Sequence, residues 1–154
     1  MKEFLITGFL GIFLIAICSL NIYEILRFIW KMLPKLTWPP RVRIFCVVAG
    51  AFLGHIINIW LFGFVYYAII NTGMGRFIGT AIERGEYALD IFGCIYLSSV
   101  LYTTVGAGDI TPEGSLRMIV GVEALTGFML VGWTISFTYL AMENFWQLPH
   151  SRKR

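Results

Sequence analysis

The chain has 154 residues, 58% of them hydrophobic and only 14% charged, with a formal net charge of +3. A soluble domain is about half apolar and a quarter charged, so this composition excludes an ordinary soluble protein and points to an integral membrane protein of one small domain. Cys18, Cys46 and Cys94 all lie in apolar runs with no CxxC spacing, which excludes a disulfide framework and a cysteine metal site.

The first uncharged run covers residues 4–23. It is long for the apolar core of a signal peptide and no small-residue cleavage site precedes Tyr23, so it reads as a membrane span. Residues 23–36 mix Leu26, Ile29, Trp30 and Leu33 with Arg27, Lys31 and Lys35. This is the pattern of a helix lying in the inner interface, or of a helix end that extends past the membrane. Trp38-Pro39-Pro40 then turns the chain. The expected units are residues 1–30 as the first span with a basic interfacial segment, and 31–43 as a basic cytoplasmic linker.

Residues 44–75 carry no charge and contain the second span, expected over 44–71. His55 and Asn58 lie one turn apart in it, able to bond to each other or to a neighbouring helix; a pH sensor is the sharper alternative and a metal site the remotest. The third uncharged run, residues 91–108, is different. Its helical part, expected over residues 90–103, reaches about 21 Å and cannot cross a ~30 Å hydrocarbon core. Gly106 and Gly108 then break the helix. A helix that enters, stops midway and returns as extended chain survives at membrane depth only when buried in protein or lining water. The last span is expected over residues 115–143; its uncharged run, residues 118–142, is interrupted only by Glu123. An acid at that depth faces the protein interior and marks function; here a brace to the pore-loop helix near Ser98 or Ser99 is expected, with a proton-sensitive gate or an ion ligand as alternatives.

Charge sets the direction. Arg27, Lys31, Lys35, Arg41 and Arg43 crowd the first connection, and Arg152, Lys153 and Arg154 end the chain, whereas residues 72–113 are mainly acidic. The positive-inside rule places the first connection and the C-terminus in the cytoplasm, the N-terminus and the re-entrant segment outside. Three spans make this self-consistent in a multi-pass cell-membrane protein. The basic residues of the first connection are suited to anionic lipid.

Outer helix, short re-entrant helix, Thr103-Thr104-Val105-Gly106-Ala107-Gly108-Asp109 and inner helix together resemble the pore module of the potassium channel superfamily. TTVGAGD matches the family signature TTVGYGD at six of seven positions, and Ile110-Thr111-Pro112 continues as such filters do. The resemblance covers residues 44–144: outer helix 44–71, extracellular segment 72–89, pore helix 90–103, filter 104–109, inner helix 115–143, with residues 145–154 as a basic cytoplasmic tail. Together with the first span, which lies outside the shared module, it implies an all-α membrane protein with three transmembrane helices, a re-entrant pore helix and a filter loop, assembled as a homotetrameric pore.

The chemistry of such a filter is the replacement of an ion's water by rings of backbone carbonyls. One loop per chain implies four chains. By the resemblance, the carbonyls of Thr104, Val105, Gly106 and Ala107 hold potassium or sodium ions, Val105 packs outward, Thr103 supports the loop, and Gly108 and Asp109 form its mouth. Gly127 stands at the place of a gating hinge, with close helix packing as the equal alternative. Val131, Ile135 and Tyr139 follow it on one stripe and are expected to line the cavity. No cofactor, resident metal or nucleic-acid partner is expected, and no catalytic set of Ser/His/Asp or Cys/His type appears.

The departure is Ala107, where the family carries tyrosine. That tyrosine packs against pore-helix aromatics and holds the ring's diameter; here Leu97 stands where its partner aromatic often sits. Potassium preference is therefore expected to be reduced, unless Tyr96 or Tyr102 braces the filter instead. The expected function is conduction of monovalent cations without a voltage sensor, since no span carries an arginine repeat. The rival is a non-conducting channel-like accessory or assembly protein. A secondary transporter is disfavoured by the lack of an inverted repeat.

Overall fold

The computed structural model describes residues 2–35, 37–85, 89–106, 108 and 110–146. Among the described residues, five α-helices and one two-stranded antiparallel ladder follow in the order α1 Lys2–Met32, α2 Pro40–Asn71, β1 Gly75–Ile78, α3 Thr80–Glu83, α4 Ile91–Tyr102, β2 Thr111–Gly114 and α5 Leu116–Trp146. Helices α1, α2 and α5 are long and apolar enough to cross a membrane. The protein is thus an all-α membrane fold with three spans and one half-length helix.

Helix α1 does not end near Tyr23 with a separate interfacial helix. It runs unbroken to Met32 and closes in a 3₁₀ turn at Leu33–Lys35. The physical reason lies in its apolar face. Leu26, Ile29 and Leu33 are buried against the protein, so these side chains are used for packing and are not available to lipid. Ile29 and Leu33 form a cluster with Val47 of α2 and Ala141 of α5. The same helix approaches α2 closely at Gly54, where a β-carbon would meet Ile22 at 2.7 Å. Small residues at such crossings let helices pack without a hydrophobic driving force from the lipid.

Helix α2 starts four residues earlier than the charge pattern suggests. Pro40 occupies its first turn, where the missing N–H costs nothing. Helix α4 starts where the Asp90 side chain accepts the Gly93 N–H at 2.7 Å, an N-cap. Its 12 residues extend about 18 Å. It packs on α2 and α5, while α1 fills the groove between α2 and α5 elsewhere.

The all-α expectation needs one addition. Strands β1 and β2 pair antiparallel, with Gly75 opposite Gly114 and Ile78 opposite Thr111. The segment that precedes the short helix is thereby clasped to the segment that follows the TTVGAGD stretch. Arg76 and Glu113 pair across the ladder at 2.5 Å. Phe77 turns inward and meets the Tyr66 ring edge-on, 5.3 Å between centroids.

Candidate functional site

The site begins at the C-terminal end of α4. Thr103 donates its N–H to the Ser99 carbonyl (3.3 Å) and its hydroxyl to the same oxygen (2.8 Å). Thr104 then adopts φ +61°, a left-handed value unusual for a residue with a β-carbon, and Gly106 follows at φ +78°. These two turns produce one specific result. The N–H groups of Val105 and Gly106 both donate to a single oxygen, the Val100 carbonyl, at 3.1 and 3.2 Å.

That shared acceptor fixes the opposite sides of the two peptides. No peptide bond among the described residues is cis, and in a planar trans peptide the C=O points away from the N–H. The carbonyls of Thr104 and Val105 are therefore both directed away from the end of α4. Successive carbonyls on one side of a chain are what a dehydrated cation requires. The negative end of the α4 dipole lies beside them.

The other expected site residues fall in four groups. Gly108 is exposed in a turn, and Val105 is exposed in the single chain. Ala107 and Asp109 lie outside the described residues, as do residues 147–154 of the basic tail. Val131, Ile135 and Tyr139 share one side of α5, and with Val48, Phe52 and His55 of α2 they line an apolar groove of about 470 Å³. Arg27, Lys31, Lys35 and Arg41 are exposed, with Arg27 3.1 Å from Glu24, while Arg43 donates to the Trp38 carbonyl.

Glu123 is fully buried on α5. Ser98 of α4 donates its hydroxyl to Glu123 Oε1 (2.5 Å) and lies 2.8 Å from the Ile59 carbonyl. Tyr66 of α2 donates to Glu123 Oε2. One carboxylate thus ties the inner helix to the short helix and the outer helix. Through Tyr66 and its contact with Phe77 it also reaches the ladder. Ser99, the second residue considered, donates instead to the Tyr96 carbonyl.

Gly127 faces the C-terminal end of α4. A β-carbon there would lie 1.9 Å from the Tyr102 carbonyl oxygen. The helix continues without a break through this position. Gly127 therefore permits a close approach, and α5 touches the last turn of α4 directly.

His55 and Asn58 do not bond to each other. Both reach the Tyr102 hydroxyl, His55 through Nδ1 (3.0 Å) and Asn58 through Nδ2 (3.2 Å). Tyr66, Asn21 and Thr134 are the contributors that sequence reasoning passed over. The available signal was the same for each: a polar side chain isolated in an apolar span, which in a membrane seeks another helix. Leu97 is buried inside its own chain, whereas Tyr96 is exposed.

Three spanning helices, a half-length helix entering from Asp90 and a loop of aligned carbonyls define a multi-pass membrane protein with a re-entrant element. The family described as "Ion channel" matches residues 54–144, more than half of the sequence, and the chain belongs to that family. No curated protein and no solved structure matches it. The match takes in most of α2, the short helix, the TTVGAGD stretch and nearly all of α5; α1 precedes it.

Proposed function

We propose that the protein is a homotetrameric channel for monovalent cations, passing potassium with reduced selectivity over sodium. The observation that carries this reading is the pair of consecutive amides, Val105 and Gly106, turned onto the Val100 carbonyl. It leaves the Thr104 and Val105 carbonyls to face a common axis when four chains assemble. The carbonyls of Gly106 and Ala107 complete the sites, Thr103 supports them, and Gly108 with Asp109 forms the mouth. Potassium or sodium ions are the ligands; the filter needs no other cofactor.

In this reading the N-terminus and the ladder lie outside and the basic connection and tail lie in the cytoplasm of a cell-membrane protein. Arg27, Lys31, Lys35, Arg41 and Arg43 face anionic lipid headgroups. Glu123 supports the filter, Gly127 serves as the point about which the inner helix pivots on the pore helix, and Val131, Ile135 and Tyr139 line the cavity beneath.

The test is flux from liposomes holding the purified protein, driven in turn by potassium and sodium gradients, with native mass spectrometry on the same preparation. Potassium flux above that of empty liposomes, sodium flux below it but measurable, and a four-chain mass are expected. A stable dimer, or the absence of flux for both ions, overturns the reading in favour of a non-conducting accessory protein.

A further inference from the structure

The first span carries a polar side chain that reaches the base of the filter through one intermediary. Asn21 of α1 donates its two amide hydrogens to the Gly54 carbonyl (3.0 Å) and to Asn58 Oδ1 (2.8 Å). Asn58, fully buried on α2, donates its own two to the Cys18 carbonyl (3.4 Å) and to the Tyr102 hydroxyl (3.2 Å). Each amide faces a backbone carbonyl, which can only accept. That fixes which end of each amide is nitrogen.

The rest of the chain of bonds follows from counting protons. Asn58 presents a donor to the Tyr102 oxygen, so we assign the single Tyr102 proton to the acceptor that faces it, His55 Nδ1 at 3.0 Å. His55 then carries its hydrogen on Nε2, which donates to Thr134 Oγ1 at 3.0 Å. Thr134 passes its own proton to the Val131 carbonyl, also 3.0 Å away. One directed series runs Asn21, Asn58, Tyr102, His55, Thr134, from α1 through α2 and α4 to α5. Hydrogen bonds in such a series polarise one another, and breaking one leaves a polar group unpaired among apolar neighbours.

Tyr102 is the hinge point of this arrangement. It is the last residue of α4, one residue before the turn at Thr103 and Thr104. Its phenol is held by α2, its carbonyl lies against Gly127 of α5, and its ring is buried. The turn that aims the Thr104 and Val105 carbonyls departs from Tyr102, the end of the helix whose Val100 carbonyl anchors it.

We infer that Asn21 of the first span is a positioning residue for the filter: acting through Asn58, it holds Tyr102 and thereby the carbonyls that follow. The extra span is then a working part of the filter's support, although it lies outside residues 54–144 that match the family. The brace stands below the filter, at its root, and substitutes in part for the radial support that Ala107 cannot supply. The inference rests on the reading of the protein as a cation-conducting pore.

The test is the potassium-to-sodium permeability ratio of the full chain in liposomes, read from the reversal potential with potassium on one side and sodium on the other. Asn21→Leu and Tyr102→Phe should each lower the ratio by about three-fold or more, the factor that one interhelical hydrogen bond of average strength supplies. The double variant should be no worse than the more affected single one, because both cut the same series. Leu26→Ala, which removes α1 packing without touching the series, should leave the ratio at the wild-type value. If Asn21→Leu fails to assemble, Asn21→Ser together with Tyr102→Phe carries the test. Ratios unchanged in Asn21→Leu (or Asn21→Ser) and Tyr102→Phe tetramers overturn the inference and leave the channel reading standing, as does an equal fall with Leu26→Ala. A wild-type protein that passes neither ion overturns both.

Discussion

The carbonyl oxygen of Tyr102 occupies the space that a side chain on Gly127 would need, 1.9 Å from an ideal β-carbon. The contact is with backbone, which cannot rotate aside. Gly127→Ala is therefore expected to push α5 from α4 and to lower stability by about 1–3 kcal/mol, the usual range for overpacking. Gly132→Ala, on the same helix with nothing within 4 Å, is expected to be tolerated. Thermal unfolding of the detergent-solubilised protein measures both. If Gly127 served as a hinge alone, Gly127→Ala would keep wild-type stability and change only gating.

Glu123 is expected to depend on its hydrogen-bond partners more than on its charge. Glu123→Gln keeps an acceptor for Tyr66 and offers a donor to Ser98, whose own proton can turn to the Ile59 carbonyl, whereas Glu123→Ala leaves the Tyr66 hydroxyl without its acceptor. An unmatched buried polar group costs about 1–3 kcal/mol. Glu123→Ala should therefore unfold at clearly lower temperature than Glu123→Gln, with Tyr66→Phe between them. Equal melting of the Gln and Ala variants would rule out a brace.

Filter selectivity is expected to respond to position 107. Ala107→Tyr should raise the potassium preference, seen as a reversal potential moved toward the potassium equilibrium value. Adding the partner aromatic at Leu97, the pairing that the motif suggests, is expected to fail. Leu97 is 1% exposed, and indole in that space overpacks the contact between the short helix and its neighbours. Loss of the tetramer peak in Leu97→Trp, with or without Ala107→Tyr, is the expected result. An assembled double variant of higher preference would contradict it.

The orientation can be read chemically. A membrane-impermeant maleimide should label Lys2→Cys in intact cells and Arg152→Cys only after permeabilisation. The native Cys18 and Cys94 are buried and should contribute little background. Labelling of position 2 only after permeabilisation would reverse the assignment made from the basic linker.

The spans, the half-length helix and the glycine-containing turn after it were legible in the sequence because each depends on local quantities. Span length against bilayer thickness needs only the run of uncharged residues. The start of α4 needs only Asp90 ahead of an apolar run, and its end needs only glycines that cannot continue it. The polar residues inside the spans were visible as well, and Ser98 was legible as a partner of Glu123, but the other pairings were not. Asn21 and Asn58 are 37 positions apart, and His55 and Thr134 are 79 apart; which helix faces which, and at what height, is decided by packing. The same holds for the β1–β2 ladder, whose four-residue strands have no period to detect, and for residues 24–32. Their basic and apolar mixture suits an interface as well as a helix end, until Val47 and Ala141 supply a surface for Ile29 and Leu33. Sequence determined that a helix too short to span a bilayer stops before a glycine-containing turn. Only the tertiary structure decided that its last residue is held from α2 and α5 and, through Asn58, from α1, because hydrogen bonds between spans form only after the spans have found their neighbours.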